Sequence, residues 1–97
     1  MKKLREYKTV AGLLGNRDRW CKGTMARISY RGQPCEVEDG KAFCLYGAIE
    51  RVYKPNGKIF EIVSKMREVL GREIVAFNDD CRTTYEKVIM AVKKAKI

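Results

Sequence analysis

The run from Asp39 to Tyr53, DGKAFCLYGAIERVY, is apolar on nearly every side. Ala42, Leu45, Ile49, Val52 and Tyr53 recur at helical spacing on one face, and Phe43, Cys44 and Ala48 cover a second. A helix with so narrow a wet side has to be packed on by several others. The spacing therefore predicts a central helix over 39–53 as the hub of the fold. Glu36, Glu38 and Asp39 would sit at its start, where carboxylates suit the positive end of the helix dipole. Gly47 and Ala48 are small enough to let another backbone approach closely.

The flanking segments supply the elements that would pack on this hub. Residues 2–14 carry an apolar stripe of Leu4, Tyr7, Val10, Ala11 and Leu14 and predict a first helix, with Gly15 as its C-cap. Met25 to Tyr30 alternates loosely, Tyr30 to Pro34 is a turn, and Cys35 to Val37 is expected to return as a second short strand. Residues 58–70 have the cleanest period, with Ile59, Ile62, Val63, Met66, Val69 and Leu70 inward and Gly71 as the C-cap. Ile74 to Phe77 reads as a buried strand or an extended connection. Thr83 with Glu86 fits a capping box for a last helix whose inner face is Tyr85, Val88, Ile89, Val92 and Ala95. Trp20, the single tryptophan, is read as a core anchor, with stacking on a partner as the alternative. The expected fold is mainly α, about four helices with a small β-hairpin between the first two; α+β is the alternative. Ninety-seven residues make a single domain over 1–97.

Charge narrows the partners. The formal charge is +9, and residues 1–31 hold nine Lys/Arg against two Asp/Glu, a surplus of seven. Such asymmetry points to an acidic protein, nucleic acid or another anionic surface. At 34% charged residues, with no apolar run approaching a membrane span or a signal-peptide core, the chain is expected to be cytoplasmic, without a membrane partner. Cys21, Cys35, Cys44 and Cys81 form no close pair, and there is no histidine. Zinc sites need two ligands on one turn, so no metal or other cofactor is expected, and the thiols are expected to be free.

Three ordered pieces carry a resemblance. They are Trp20-Cys21-Lys22-Gly23-Thr24-Met25-Ala26-Arg27, then Cys44-Leu45-Tyr46-Gly47-Ala48-Ile49-Glu50-Arg51, then Phe77-Asn78-Asp79 with Thr84 and Val88. Together they resemble a family of small, functionally uncharacterised phage and bacterial proteins with the patterns W-C-x-G, C-x-x-G-A and [WF]-N-D-x(4)-T-x(3)-V. The resemblance spans residues 20–95 and leaves the basic start outside. It implies a compact, mostly helical unit in a phage or bacterial setting, hence host cytoplasm if phage-encoded. It transfers no catalytic residue.

Of the motif residues Trp20, Cys21, Cys44, Asn78, Asp79 and Thr84, the candidate site for chemistry is Cys21, Cys44, Asn78 and Asp79, with Trp20 nearby. A nucleophilic cysteine must be a thiolate, which histidine or a strong positive field normally secures. Cys44 lies in the apolar helix, where burial makes a thiol inert; Cys21 is flanked by Arg19 and Lys22. An Asn-Asp pair before a helix more often orders a loop through side-chain to backbone hydrogen bonds. The expectation is thus a non-enzymatic binding protein of phage or mobile-element origin that docks on an acidic host macromolecule. Lys2, Lys3, Arg5, Lys8, Arg17, Arg19, Lys22, Arg27 and Arg31 would make the contact. Direct nucleic-acid binding is the second reading. A small enzyme using Cys21, Asn78 or Asp79 is the third, and it requires those side chains to converge in one pocket.

Overall fold

The computed structural model describes residues 7–97. Lys2, Lys3 and Arg5 lie outside the described residues, as does the beginning of the helix expected over 2–14. Among the described residues the expected helix is a single turn, α1 (Val10–Leu13); Tyr7 to Thr9, expected within it, are not helical. Thr9 caps it, its hydroxyl oxygen accepting from the Gly12 N–H at 3.0 Å. Val10, Leu13 and Leu14 are fully buried.

The chain continues through a 3-10 turn at Arg17–Arg19, strand β1 (Ala26–Arg27), a second 3-10 turn at Val37–Asp39 and strand β2 (Ala42–Phe43). Helices α2 (Leu45–Tyr53), α3 (Ile59–Leu70), α4 (Ile74–Asp79) and α5 (Tyr85–Ala95) follow. This is an α-rich fold with one small antiparallel β-ribbon, in which Ala26 pairs with Phe43 and Arg27 with Ala42. Helix α2 is the hub: α1, α3, α4, β2 and the Val37–Asp39 turn all pack on it. Its Leu45, Ala48 and Ile49 are fully buried.

The hub is shorter than its sequence pattern suggests. Ala42 and Phe43, expected inside the helix, are strand, and the helix begins only at Leu45. Two segments from earlier in the chain take their backbone groups. The Phe43 carbonyl accepts from Cys21 N–H at 3.0 Å, and the Cys44 N–H donates to the Met25 carbonyl at 3.2 Å. Buried backbone must be paired, and here strand partners outcompete the helix. Glu36, Glu38 and Asp39 accordingly do not cap α2; the last two belong to the preceding turn.

The expected return strand at 35–37 is also corrected. The turn exists: Gly32 N–H donates to Ser29 O, Ile28 N–H to Gln33 O and Cys35 N–H to Ala26 O. Pro34, which has no N–H, limits this edge to an isolated bridge with Arg27, and Val37 is already in a 3-10 turn. The paired strand is β2.

Helix α3 matches its period closely, and Gly71 ends it in the left-handed conformation (φ 68°), its N–H bonded to Arg67 O at 2.8 Å. Residues 74–77, expected to be extended, open the short helix α4, with Ile74 buried and Val75 exposed. A short apolar run does not by itself separate strand from helix. At α5 the cap is Thr84, whose hydroxyl accepts from Lys87 N–H at 3.3 Å, not Thr83 with Glu86. Thr83 is buried, and Glu86 instead forms an ion pair with Arg17. Val88, Val92 and Ala95 face the core, and Ile97 is tucked in, its carbonyl accepting from Ala11 N–H at 3.0 Å. Gly15 does not act as a left-handed cap for α1, because Leu14 occupies the capping position.

Candidate functional site

The three motif pieces meet at one side chain. Asn78, at the end of α4, is fully buried. Its Oδ1 accepts from Trp20 Nε1 at 2.6 Å and from the Leu45 backbone N–H at 2.9 Å. Its Nδ2 donates to Cys21 O at 3.1 Å and to Asp79 Oδ1 at 2.9 Å. All four hydrogen-bonding positions of the amide are thus in use. Asp79 extends the node by accepting from Gly23 N–H at 3.0 Å. The pair does bond backbone groups, as an Asn-Asp loop would, but those groups lie across the chain rather than beside it.

Two small residues bring the loop that close. The Cys44 thiol caps α2, its sulfur accepting from Gly47 N–H at 3.3 Å. A Cβ on Gly47 would lie 2.0 Å from Met25 O, so only glycine lets the β1 approach lie on the first turn of α2. Thr84, the remaining motif residue, serves elsewhere as the α5 cap.

The thiols here are protonated at neutral pH. Burial, assisted by neighbouring Cys44, pushes Cys21 up to about 11; the Arg27 guanidinium pulls it down without prevailing. Burial likewise raises Cys44, against the helix-terminal N–H groups. All four cysteines are free, Cys21 and Cys44 buried and Cys81 exposed. No cluster among the described residues has the donors for a metal ion. Cys21, Asn78 and Asp79 do come together, but Asn78 is sealed between two separate concavities. Cys21 lines a cleft of about 410 Å³ with Trp20, Lys22, Arg27, Tyr30 and Arg31. Asp79 lines a smaller one of about 150 Å³ beside Gly23, Thr24, Met25, Cys44 and Val75.

The basic residues divide into two groups. Arg17 is ion-paired with Glu86 and also covers the Tyr85 ring at 5.0 Å. Arg19 lies over the Tyr7 ring at 5.0 Å, and Lys8 is exposed. Lys22, Arg27 and Arg31 converge on the larger cleft. Lys22 Nζ donates to Asp80 O at 2.7 Å and sits 5.6 Å from the Trp20 ring centroid. Arg27 donates to the carbonyls of Gly32 and Lys22, each at 3.1 Å. Arg31 lies over the Tyr30 ring at 5.5 Å. Sequence reasoning missed Asp80, which pairs with Arg72 at 3.2 Å and Arg82 at 3.0 Å. It also missed exposed Ile28 and Tyr30 at the tip of the β1 turn. An apolar residue on each side of Ser29 was the available signal for the second.

Fold and site together define a small α-rich protein whose loops close on a buried asparagine and present a cationic cleft. Residues 5–96 match a family of unknown function, DUF6197, and the chain belongs to that family. The match reaches past the motifs to take in Arg5 and Lys8. No curated protein and no solved structure matches the chain.

Proposed function

We propose that this protein is a binding protein that docks on an acidic protein surface through the loop face between Arg17 and Arg31. One observation carries the reading. Arg19, Lys22, Arg27 and Arg31 are held by ring faces and backbone carbonyls, with no carboxylate partner among the described residues. Carbonyls and rings orient a cation without cancelling its charge. Exposed Ile28 and Tyr30 beside them add apolar area, and tyrosine next to arginine is the composition of protein-interface anchors. If the chain is phage-encoded, a setting the motif resemblance allows, the partner is a host protein.

Nucleic acid is the alternative that shares the charge argument. Trp20, the obvious stacking platform, has its N–H spent on Asn78 and its ring flanked by Lys22 and Tyr85. That favours the protein partner, since single-stranded nucleic acid is gripped by open aromatic faces.

The test is fluorescence anisotropy with two labelled probes: a short Asp/Glu-rich peptide carrying Leu and Phe, and a DNA duplex. The docking reading expects peptide binding that weakens with salt and with Tyr30→Ser. Duplex binding that is tighter and indifferent to Tyr30→Ser would overturn it.

A further inference from the structure

The cleft bounded by Trp20, Cys21, Lys22, Arg27, Tyr30 and Arg31 is more specific than a charged surface needs to be. The geometry points to this cleft as a binding site for a phosphate monoester, supplied by a phosphorylated side chain of the acidic partner; the protein source rests on the docking reading.

Three features support it. First, three cations surround one concavity of about 410 Å³, more positive charge than one carboxylate requires and suited to a group carrying roughly −1.5 to −2 at neutral pH. Second, two of the cations are fixed in advance. Arg27 spends two of its five donors on Gly32 O and Lys22 O, and Lys22 spends one of three on Asp80 O. The carbonyls set the direction of these groups and leave further N–H donors for a ligand. A planar guanidinium fixed this way matches phosphate oxygens in pairs. Third, the exposed Tyr30 ring walls the same cleft, so a phosphate borne on an aromatic ring would meet apolar surface as well as charge.

Arg31 is the least constrained of the three: it is exposed and rests on Tyr30 without a hydrogen bond that holds the fold among the described residues. It can swing onto a bound anion, and its removal should leave the fold intact.

Trp20 is the chain's only tryptophan and lines the cleft, so its fluorescence reports occupancy directly. The full chain is titrated with phenyl phosphate and, at matched ionic strength, with benzoate. A saturable change is expected with phenyl phosphate, at least about tenfold tighter than with benzoate. Arg31→Gln should weaken it about tenfold, the loss of one charge-assisted contact, without altering the melting temperature. Arg27→Lys, which keeps the charge and loses the fork, should weaken it too. The absence of a saturable change, equal affinity for benzoate, or unaltered affinity in Arg31→Gln would overturn the site. Ile28→Ser separates this site from the docking face: it should weaken the acidic peptide and spare phenyl phosphate. Phenyl phosphate binding with no peptide binding at all would overturn the protein source of the phosphate and, with it, the docking reading.

Discussion

The Trp20 indole N–H donates to the Asn78 side-chain oxygen at 2.6 Å, joining residues 58 positions apart in the chain. Through that oxygen the first loop is also tied to the first residue of α2, since Leu45 N–H shares it. One amide therefore locks three separate segments, and the cationic cleft takes its wall from the same Trp20. The shape of that cleft and the stability of the core are coupled at a single residue.

Asn78→Ala should be severely destabilising. It strands the Trp20 N–H, the Leu45 N–H and the Cys21 carbonyl at a fully buried position. Unpaired buried polar groups cost about 1–3 kcal/mol each, so a loss of about 3 kcal/mol or more is expected from urea unfolding. A loss under about 1 kcal/mol would mean that water replaces the amide.

Gly47→Ala should cost about 3 kcal/mol, because the new Cβ meets the Met25 carbonyl at 2.0 Å and backbone must move. Gly57→Ala is the control: nothing lies within 4 Å, and only its positive φ of 75° is strained, at about 1 kcal/mol. Thermal melts of the two variants should rank them in that order.

Thiol labelling at pH 8 should find Cys81 fastest, Cys35 slower, and Cys21 and Cys44 protected until the protein opens. Cys21 also links the fold to alkaline pH. Its folded value, about 11, lies above that of an ordinary thiol, so its contribution is intact below about pH 8.5 and is lost as pH rises towards 11. A Cys21→Ala variant should unfold with a shallower dependence on pH over that window.

Asp80 should make the protein acid-sensitive. Hydrogen bonds from Arg82 and then Arg72 hold its carboxyl well below the usual carboxylate range. A depressed value means that its contribution is present above about pH 4 and is lost as pH falls further. Melting temperatures of Asp80→Asn should fall less between pH 5 and pH 2 than those of the unmodified chain.

Helices α3 and α5 could be read directly from residue order. Ile62, Val63 and Met66 in one, and Val88, Val92 and Ala95 in the other, repeat at the helical period, and Gly71 marks an end that local geometry demands. The central position of α2 was legible for the same reason, since its apolar residues cover more than one face. Periodicity and capping chemistry act over a turn or two, and a linear reading captures them there. Two adjacent threonines were already too fine a choice: Thr83 and Thr84 both suit a cap, and burial of Thr83 leaves the task to Thr84.

What residue order left open was decided by pairing across the chain. Phe43 belongs to a strand because Cys21 and Ala26 come back to meet it. Asn78 is the node because Trp20, Cys21 and Leu45 all present their polar groups to it. Lys22, Arg27 and Arg31 line a cleft rather than a diffuse basic surface because carbonyls of Asp80, Gly32 and Lys22 hold two of them in place. A buried polar group must find a partner wherever the fold brings one. That requirement is non-local, so composition and spacing reveal the kinds of residue involved, and only the folded chain shows which of them meet.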